Sequence, residues 1–286
     1  MNDTRAQLQI VPDSQSLAHA AAQDFVDRCQ QAIQRQGYFT ACLSGGSTPK
    51  ALLSLLARPP YRDCIAWRRV LLFWGDERSV ALDHPDSNFG MAYQQLIRHV
   101  PILPNHLHPI ITQQLQPQQA AVRYEQTLRH LFARLGYSKP RFDLLHLGMG
   151  DDCHTASLFP HSPLLSNRSQ QLWVGSAWVR HLNTYRITLT PQAICSARAV
   201  LFLVSGLAKA APLRCVLQGP TQGHALPAQA VWLQCQQHCT WLVDQQAARL
   251  VRSKPHLARM NRPHAHHKRE TKRHLLLLAK QSCRRL

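Results

Sequence analysis

The sequence predicts a single Rossmann-like, layered α/β domain, with a mainly parallel sheet flanked by helices and a basic C-terminal tail after it. Three observations predict it. Apolar runs of strand length (Tyr38 to Leu43, Val70 to Trp74, Phe142 to Leu147, Ala199 to Val204) alternate with segments of helical periodicity. Each run ends in a glycine-containing polar turn, which is where strands of an open α/β sheet meet their ligands. A chain of 286 residues with 45% hydrophobic content can bury one large core.

The elements follow in order. Leu17, Ala21, Phe25, Val26, Cys29 and Ile33 fall at helical spacing between Ser16 and Gln36, and Gly37 supplies a stop. Tyr38 to Leu43 is a short buried strand that runs into Ser44-Gly45-Gly46-Ser47-Thr48-Pro49, with a helix from Lys50 to Ala57. Bare glycine backbone, hydroxyl donors and a helix N-terminus together make an anion site. Neither the Walker spacing nor GxGxxG is present. Val70 to Trp74 is the next strand, ending in Gly75-Asp76-Glu77-Arg78, and Ser87-Asn88 opens a helix to about His99. Arg78 offers a planar fork for a phosphate or carboxylate, and Asp76 or Glu77 a carboxylate to orient a histidine or a hydroxyl.

A proline-rich connection from Pro101 to Pro117 leads to an amphipathic helix over Gln118 to Leu135. Phe142 to Leu147 then forms a buried strand that breaks at Gly148-Met149-Gly150 and delivers Asp151, Asp152, Cys153 and His154. Histidine is the side-chain type here suited to exchanging protons near neutral pH. Tyr185 to Thr190 alternates as a half-buried strand, and Pro191 starts a short helix. Ala199 to Val204 leads through Ser205-Gly206 to a helix that carries Lys209 and ends near Leu217. A last strand is expected around Gln229 to Leu233, and a closing helix over Trp241 to Val251.

Composition excludes several classes. No run of about eighteen apolar residues can span a membrane, and the N-terminus has no charged-then-apolar signal pattern, so a cytoplasmic protein is expected. Nine cysteines are scattered without the spacing of a disulfide framework. Cys29, Cys42, Cys64, Cys195 and Cys215 sit in or beside apolar segments, as reduced thiols acting as small hydrophobes do. Cys235, His238 and Cys239 lack the second pair of a zinc site, so no metal is expected. The net charge of +18 is concentrated in residues 252–286, where eleven Lys or Arg face one acid, Glu270. That leaves +8 for residues 1–251, enough to steer a small anionic substrate. Two units follow: an α/β domain over residues 1–251, and a basic extension over 252–286, disordered or partly helical.

Together the blocks LSGGSTP (Leu43 to Pro49), FWGDER (Phe73 to Arg78), Ser87-Asn88, FDLLHLGMGDD and HTASLFP (Phe142 to Pro160), RITLT (Arg186 to Thr190), GLAK (Gly206 to Lys209) and LPA (Leu226 to Ala228) resemble the 6-phosphogluconolactonases. That family lies within the wider superfamily that includes glucosamine-6-phosphate deaminase. The resemblance spans Leu8 to Val251. Phe159 stands where the deaminases carry a catalytic glutamate, and phenylalanine exchanges no proton, which favours the lactonase branch.

The resemblance implies hydrolysis of 6-phospho-D-glucono-1,5-lactone in the oxidative pentose phosphate pathway, without metal or organic cofactor. A lactone needs a water activated by a base, a stabilised oxyanion and a proton for the ring oxygen. On this reading His154 is the acid/base, with Asp76 or Asp152 orienting it. Ser44, Gly45, Gly46, Ser47 and Thr48 cradle the phosphate, with Arg78, Arg186 and Lys209 as cations.

Three departures from the family pattern stand out. Cys153 replaces the glycine before the histidine, where a left-handed turn would strain a residue with a Cβ. His161 replaces the glycine after Phe-Pro, and Val179 to Thr184 replaces a proline- and lysine-rich run. Lowered activity is therefore expected. A catalytically weakened phosphosugar-binding protein and a polyanion binder acting through the tail are the alternatives. No nucleic-acid recognition motif occurs in residues 1–251, so only non-specific binding through the tail is expected, and nothing fixes an oligomeric state.

Overall fold

The computed structural model describes residues 7–166, 171–222 and 225–252. The helical or disordered tail expected beyond that lies outside the described residues.

Seven strands form one parallel sheet: β1 (Gln7–Val11), β2 (Phe39–Leu43), β3 (Val70–Trp74), β5 (Leu107–His108), β6 (Leu144–Leu147), β9 (Val200–Val204) and β10 (Cys239–Asp244). Their order is β1-β10-β9-β6-β2-β3-β5. The chain builds outward from β2 through β3 to β5, then returns to the other side of β2 with β6, β9 and β10. The order therefore reverses between β2 and β6. In an open parallel sheet the crevice beyond the carboxyl ends of such a pair is where ligands bind.

Two groups of helices flank the sheet. α1 (Ser14–Gln36), α2 (Ser47–Leu56) and α3 (Asn88–Gln95) pack in succession, as do α5 (Pro191–Cys195), α7 (Pro227–Cys235) and α6 (Ala210–Gln218). Asp13 caps α1 and Gly37 ends it in the left-handed region, so the periodic face from Leu17 to Ala32 is buried without a frayed end. α4 (Pro117–Arg134) sends Tyr124 to the end of β3, where its hydroxyl accepts from Trp74 N–H at 3.0 Å and donates to Trp74 O at 2.9 Å. That clamp fixes the backbone just before Gly75.

A second sheet of three antiparallel strands is added to this frame, β4 (Asp76–Arg78), β8 (Thr184–Leu189) and β7 (Val174–Val179). The expected mainly parallel sheet holds for the large sheet, and the strand expected over Tyr185 to Thr190 is β8 of the small one, ending at Leu189, with Thr190 capping α5.

Two expected elements are corrected. Gln229 to Leu233 is not a strand; it lies inside α7, which Pro227 starts at a position where its missing N–H costs nothing. Trp241 to Val251 is not a helix; Cys239–Asp244 is a strand paired on both sides, with β1 and β9, and turns follow it. Short apolar runs carry no period that separates a buried strand from a buried helix turn. Cys29 and Cys42 are buried free thiols as expected, whereas Cys64 is disulfide-bonded.

Candidate active site

The turn after β2 leads straight into α2. Gly46 caps this helix at φ 109°, and no side chain caps its N-terminus, so its first N–H groups are left for a ligand. A side chain at Gly45 would place its Cβ 1.9 Å from Asn88 Oδ1, so the glycine is what lets this turn lie against α3.

The small sheet arranges the charges. β4 pairs with β8 in the register Asp76↔Thr188, Glu77↔Ile187, Arg78↔Arg186. Alternation along a strand puts Asp76 and Arg78 on one face and Glu77 on the other. Glu77 is fully buried and accepts from the backbone N–H groups of Arg78, Asn88 and Phe89 and from Ser87 Oγ. It anchors the start of α3 and has no histidine among its hydrogen-bond partners. Burial raises its pKa, and those backbone hydrogen bonds oppose the rise. Asp76 accepts from Ser157 Oγ at 2.6 Å and from Asn88 Nδ2 at 3.2 Å. Arg78 and Arg186 face one another across the register, and Arg78 donates to Asp86 O. Burial first, then the neighbouring Arg78 charge, lowers the Arg186 pKa. Two adjacent guanidinium groups, neither ion-paired to a carboxylate among the described residues, favour a bound anion.

The turn after β6 carries the titratable centre. His154 Nδ1 lies 2.6 Å from Asp152 Oδ1, and the His154 backbone N–H donates to the same oxygen at 3.1 Å. Burial works to raise the Asp152 pKa, but the ring and backbone hydrogen bonds and the His154 charge outweigh it and hold it at about 2. A Cβ on Gly150 would fall 2.1 Å from His154 Nδ1, so the ring can dock only over a glycine. Phe159 packs against the other side of the imidazole, with ring centroids 4.3 Å apart. Of the two carboxylates expected to orient His154, Asp152 is the one within hydrogen-bond distance of it, while Asp76 accepts from Ser157 and Asn88.

These parts surround one cleft of about 380 Å³ at the reversal of strand order. Ser44, Gly45, Gly46, Ser47, Thr48, Asp76, Arg78, His154, Arg186 and Lys209 all line it; Asp152 stands behind His154. Lys209 Nζ is ion-paired with Asp151 at 2.7 Å, so this cation reaches the cleft already partnered. Asp244, at the end of β10, accepts from Gly206 N–H at 3.0 Å and fixes the turn that presents Lys209. Asn88, Ser157, Phe159 and His181 also line the cleft and had no expected binding role. Ser87-Asn88 reads in the sequence as a helix start and as one block of the family resemblance, and the side-chain bonds of Asn88 to Asp76 leave no local pattern.

Cys153 has φ 65° and His161 φ 61°, so both positions that depart from a family glycine are left-handed. The Cys153 thiol is buried away from the cleft, and burial, with lesser contributions from Cys215 and Asp152, pushes it up to about 11. It is no nucleophile for the neighbouring histidine. No group of three or more His, Cys, Asp or Glu among the described residues, Cys235, His238 and Cys239 included, is arranged to hold a metal ion.

Fold and site define a class, an α/β protein whose cleft at the switch point of a parallel sheet brings together a glycine-serine turn, two guanidinium groups and a carboxylate-bonded histidine. The family model for glucosamine-6-phosphate isomerases and 6-phosphogluconolactonases matches residues 12–241, and the chain belongs to that family. It is 38% identical over 246 residues to a 6-phosphogluconolactonase of Synechocystis, covering 86% of this chain and 98% of the relative. A 6-phosphogluconolactonase of Nostoc is 36% identical over 237 residues, 83% of this chain and 95% of that one. Among solved structures, 6-phosphogluconolactonase from Trypanosoma cruzi superposes with a TM-score of 0.76 at 26% identity, covering 87% of this chain and 98% of that one.

Proposed function

We propose that this chain hydrolyses 6-phospho-D-glucono-1,5-lactone to 6-phospho-D-gluconate in the oxidative pentose phosphate pathway, with His154 as general acid/base. Family membership and the names of its relatives support the substrate. The observation that carries the mechanism is the 2.6 Å bond from Asp152 to His154 at the wall of a cleft lined also by Arg78 and Arg186.

The chemistry runs in two proton transfers. With Nδ1 tied to Asp152, Nε2 takes a proton from water as the water oxygen attacks the lactone carbonyl. The imidazolium, stabilised by Asp152, returns that proton to the ring oxygen as the C–O bond breaks. The product carboxylic acid then loses a proton to solvent. The Ser44 to Thr48 turn, Arg78 and Arg186 hold the phosphate, so that remote binding energy fixes the carbonyl beside His154. The cationic wall, Lys209 included, favours the negative charge that develops on the carbonyl oxygen.

Phe159 supports hydrolysis over deamination, because it offers no carboxylate for ring opening. Residues 1–251 are the catalytic unit in this reading, 252–286 a basic extension, and the protein acts in the cytoplasm. The reading is tested by offering both substrates of the superfamily to the purified full-length chain. Hydrolysis of the lactone well above its spontaneous rate, with no ammonia released from glucosamine 6-phosphate, is expected. The opposite pattern would overturn it.

A further inference from the structure

The turn joining β7 to β8, Arg180–Leu182 followed by left-handed Asn183, lies beside the cleft, and His181 and Leu182 line it. The turn is held from below: β7 and β8 are paired up to Val179↔Thr184, and Trp178 packs edge-on against Tyr185 at 5.0 Å. The ring of His181 is held from the side, edge-on to Phe159 at 5.3 Å, and Phe159 in turn packs on His154. The two imidazoles thus stand one aromatic ring apart along the same wall. His181 has no hydrogen-bond or ion-pair partner among the described residues. An exposed polar ring braced by one aromatic neighbour, lining a polar cleft and without a hydrogen-bond partner among the described residues, is arranged to serve a ligand.

We infer that His181 is a further substrate-contacting residue, one that hydrogen-bonds a hydroxyl of the bound sugar. This rests on the lactonase reading. With the lactone carbonyl at His154 and the phosphate at Arg78 and Arg186, the secondary hydroxyls are the substrate groups left to meet the third wall. His181 then contributes to holding the sugar and not to the proton transfers. It recognises substrate by its hydroxyls, at a position where this chain departs from its family's proline- and lysine-rich run.

Three variants of the full-length chain separate hydrogen bonding from packing, each checked for folding by circular dichroism. His181→Ala should raise KM for the lactone about 3- to 10-fold, the effect of one lost hydrogen bond, with kcat within about twofold. His181→Phe keeps an aromatic edge against Phe159 but has no donor, and should show the same rise. His181→Gln restores a donor and should recover most of the affinity. Calorimetric binding of 6-phosphogluconate to the same four proteins reads the contact without turnover and should weaken in parallel. If the wild type binds 6-phosphogluconate and His181→Ala and His181→Phe weaken it while no protein hydrolyses the lactone, the lactonase reading falls and this inference stands. If His181→Phe matches the wild type, or His181→Ala lowers kcat and leaves binding alone, the residue only buttresses Phe159 and the inference is overturned. Binding that is unchanged in His181→Ala, or absent from the wild type, also overturns it.

Discussion

Asp152 accepts twice from His154, from the ring at 2.6 Å and from the backbone N–H at 3.1 Å. An ionised carboxylate has no proton to give, so Nδ1 carries the hydrogen and Nε2 is left as the proton acceptor. One short turn thus fixes both the orientation and the tautomer of the ring.

Asp152→Asn keeps the shape but lets an amide donate to Nδ1, which favours the wrong tautomer. kcat should fall by about 10²–10⁴-fold, the range that general acid–base catalysis contributes, with KM nearly unchanged. The same variant reports on acid stability. The folded Asp152 pKa lies at about 2, below its ordinary value near 3.8, so its stabilising contribution is complete above about pH 4 and is lost as pH falls toward 2. In pH-dependent unfolding, wild type and Asp152→Asn should differ at neutral pH and converge at the acid end; a difference that grows on acidification contradicts this sign.

Gly150→Ala should inactivate without unfolding. Its Cβ would meet His154 Nδ1 at 2.1 Å and Asp152 Oδ1 at 2.7 Å, side-chain atoms that can move, so the ring leaves Asp152 while the strand beneath stays paired. Lactonase kinetics beside a melting curve check this: kcat should fall with Asp152→Asn, and Tm should shift only a few degrees.

Arg78 and Arg186 are cross-strand neighbours of like charge, so each repels the other until an anion arrives. Arg78→Ala or Arg186→Ala should raise KM about 10- to 100-fold, the effect of a lost charged hydrogen bond, and weaken inhibition by inorganic phosphate by a similar factor. Neither variant should destabilise the fold, because a repulsion is removed along with the side chain. A KM that holds while kcat falls would move these residues from binding to chemistry.

Cys153 occupies φ 65°, where a Cβ costs about 1–2 kcal/mol, yet its thiol is buried. Cys153→Gly relieves the strain but gives up that packing and adds freedom to the unfolded chain, so stability should change by no more than about 1 kcal/mol. Turnover should hold or rise as the turn beneath His154 relaxes. A fall in turnover contradicts the strain account.

Four adjacent strands of the large sheet, β9, β6, β2 and β3, were legible because they end in glycine-containing polar turns, and those turns, at Ser44, Gly75, Gly148 and Ser205, lead into the walls of the cleft. Strands β1 and β5 carry no such turn and were not legible. The exchange of strand and helix after Pro227 was not legible. AQAVWL and TWLVD are both short apolar runs, and pairing with β1 and β9, not local pattern, makes a strand of the second. Of the small sheet only β8 was legible, as the alternating run from Tyr185; β4 and β7 become visible only through their pairing with it. In the site, His154 and the anion turn were visible from residue type and spacing. That Asp152 and not Asp76 holds the histidine is a matter of side-chain reach. Asp76 is instead claimed by Ser157 and Asn88, residues far from it in the chain.

The central claim is that the histidine of this turn moves the proton. Lactone hydrolysis by wild type and His154→Ala, measured at saturating substrate and corrected for the spontaneous rate, tests it most directly. The account predicts a loss of about 10²–10⁴-fold in kcat with 6-phosphogluconate binding retained. Equal rates above the spontaneous background would remove His154 from the mechanism.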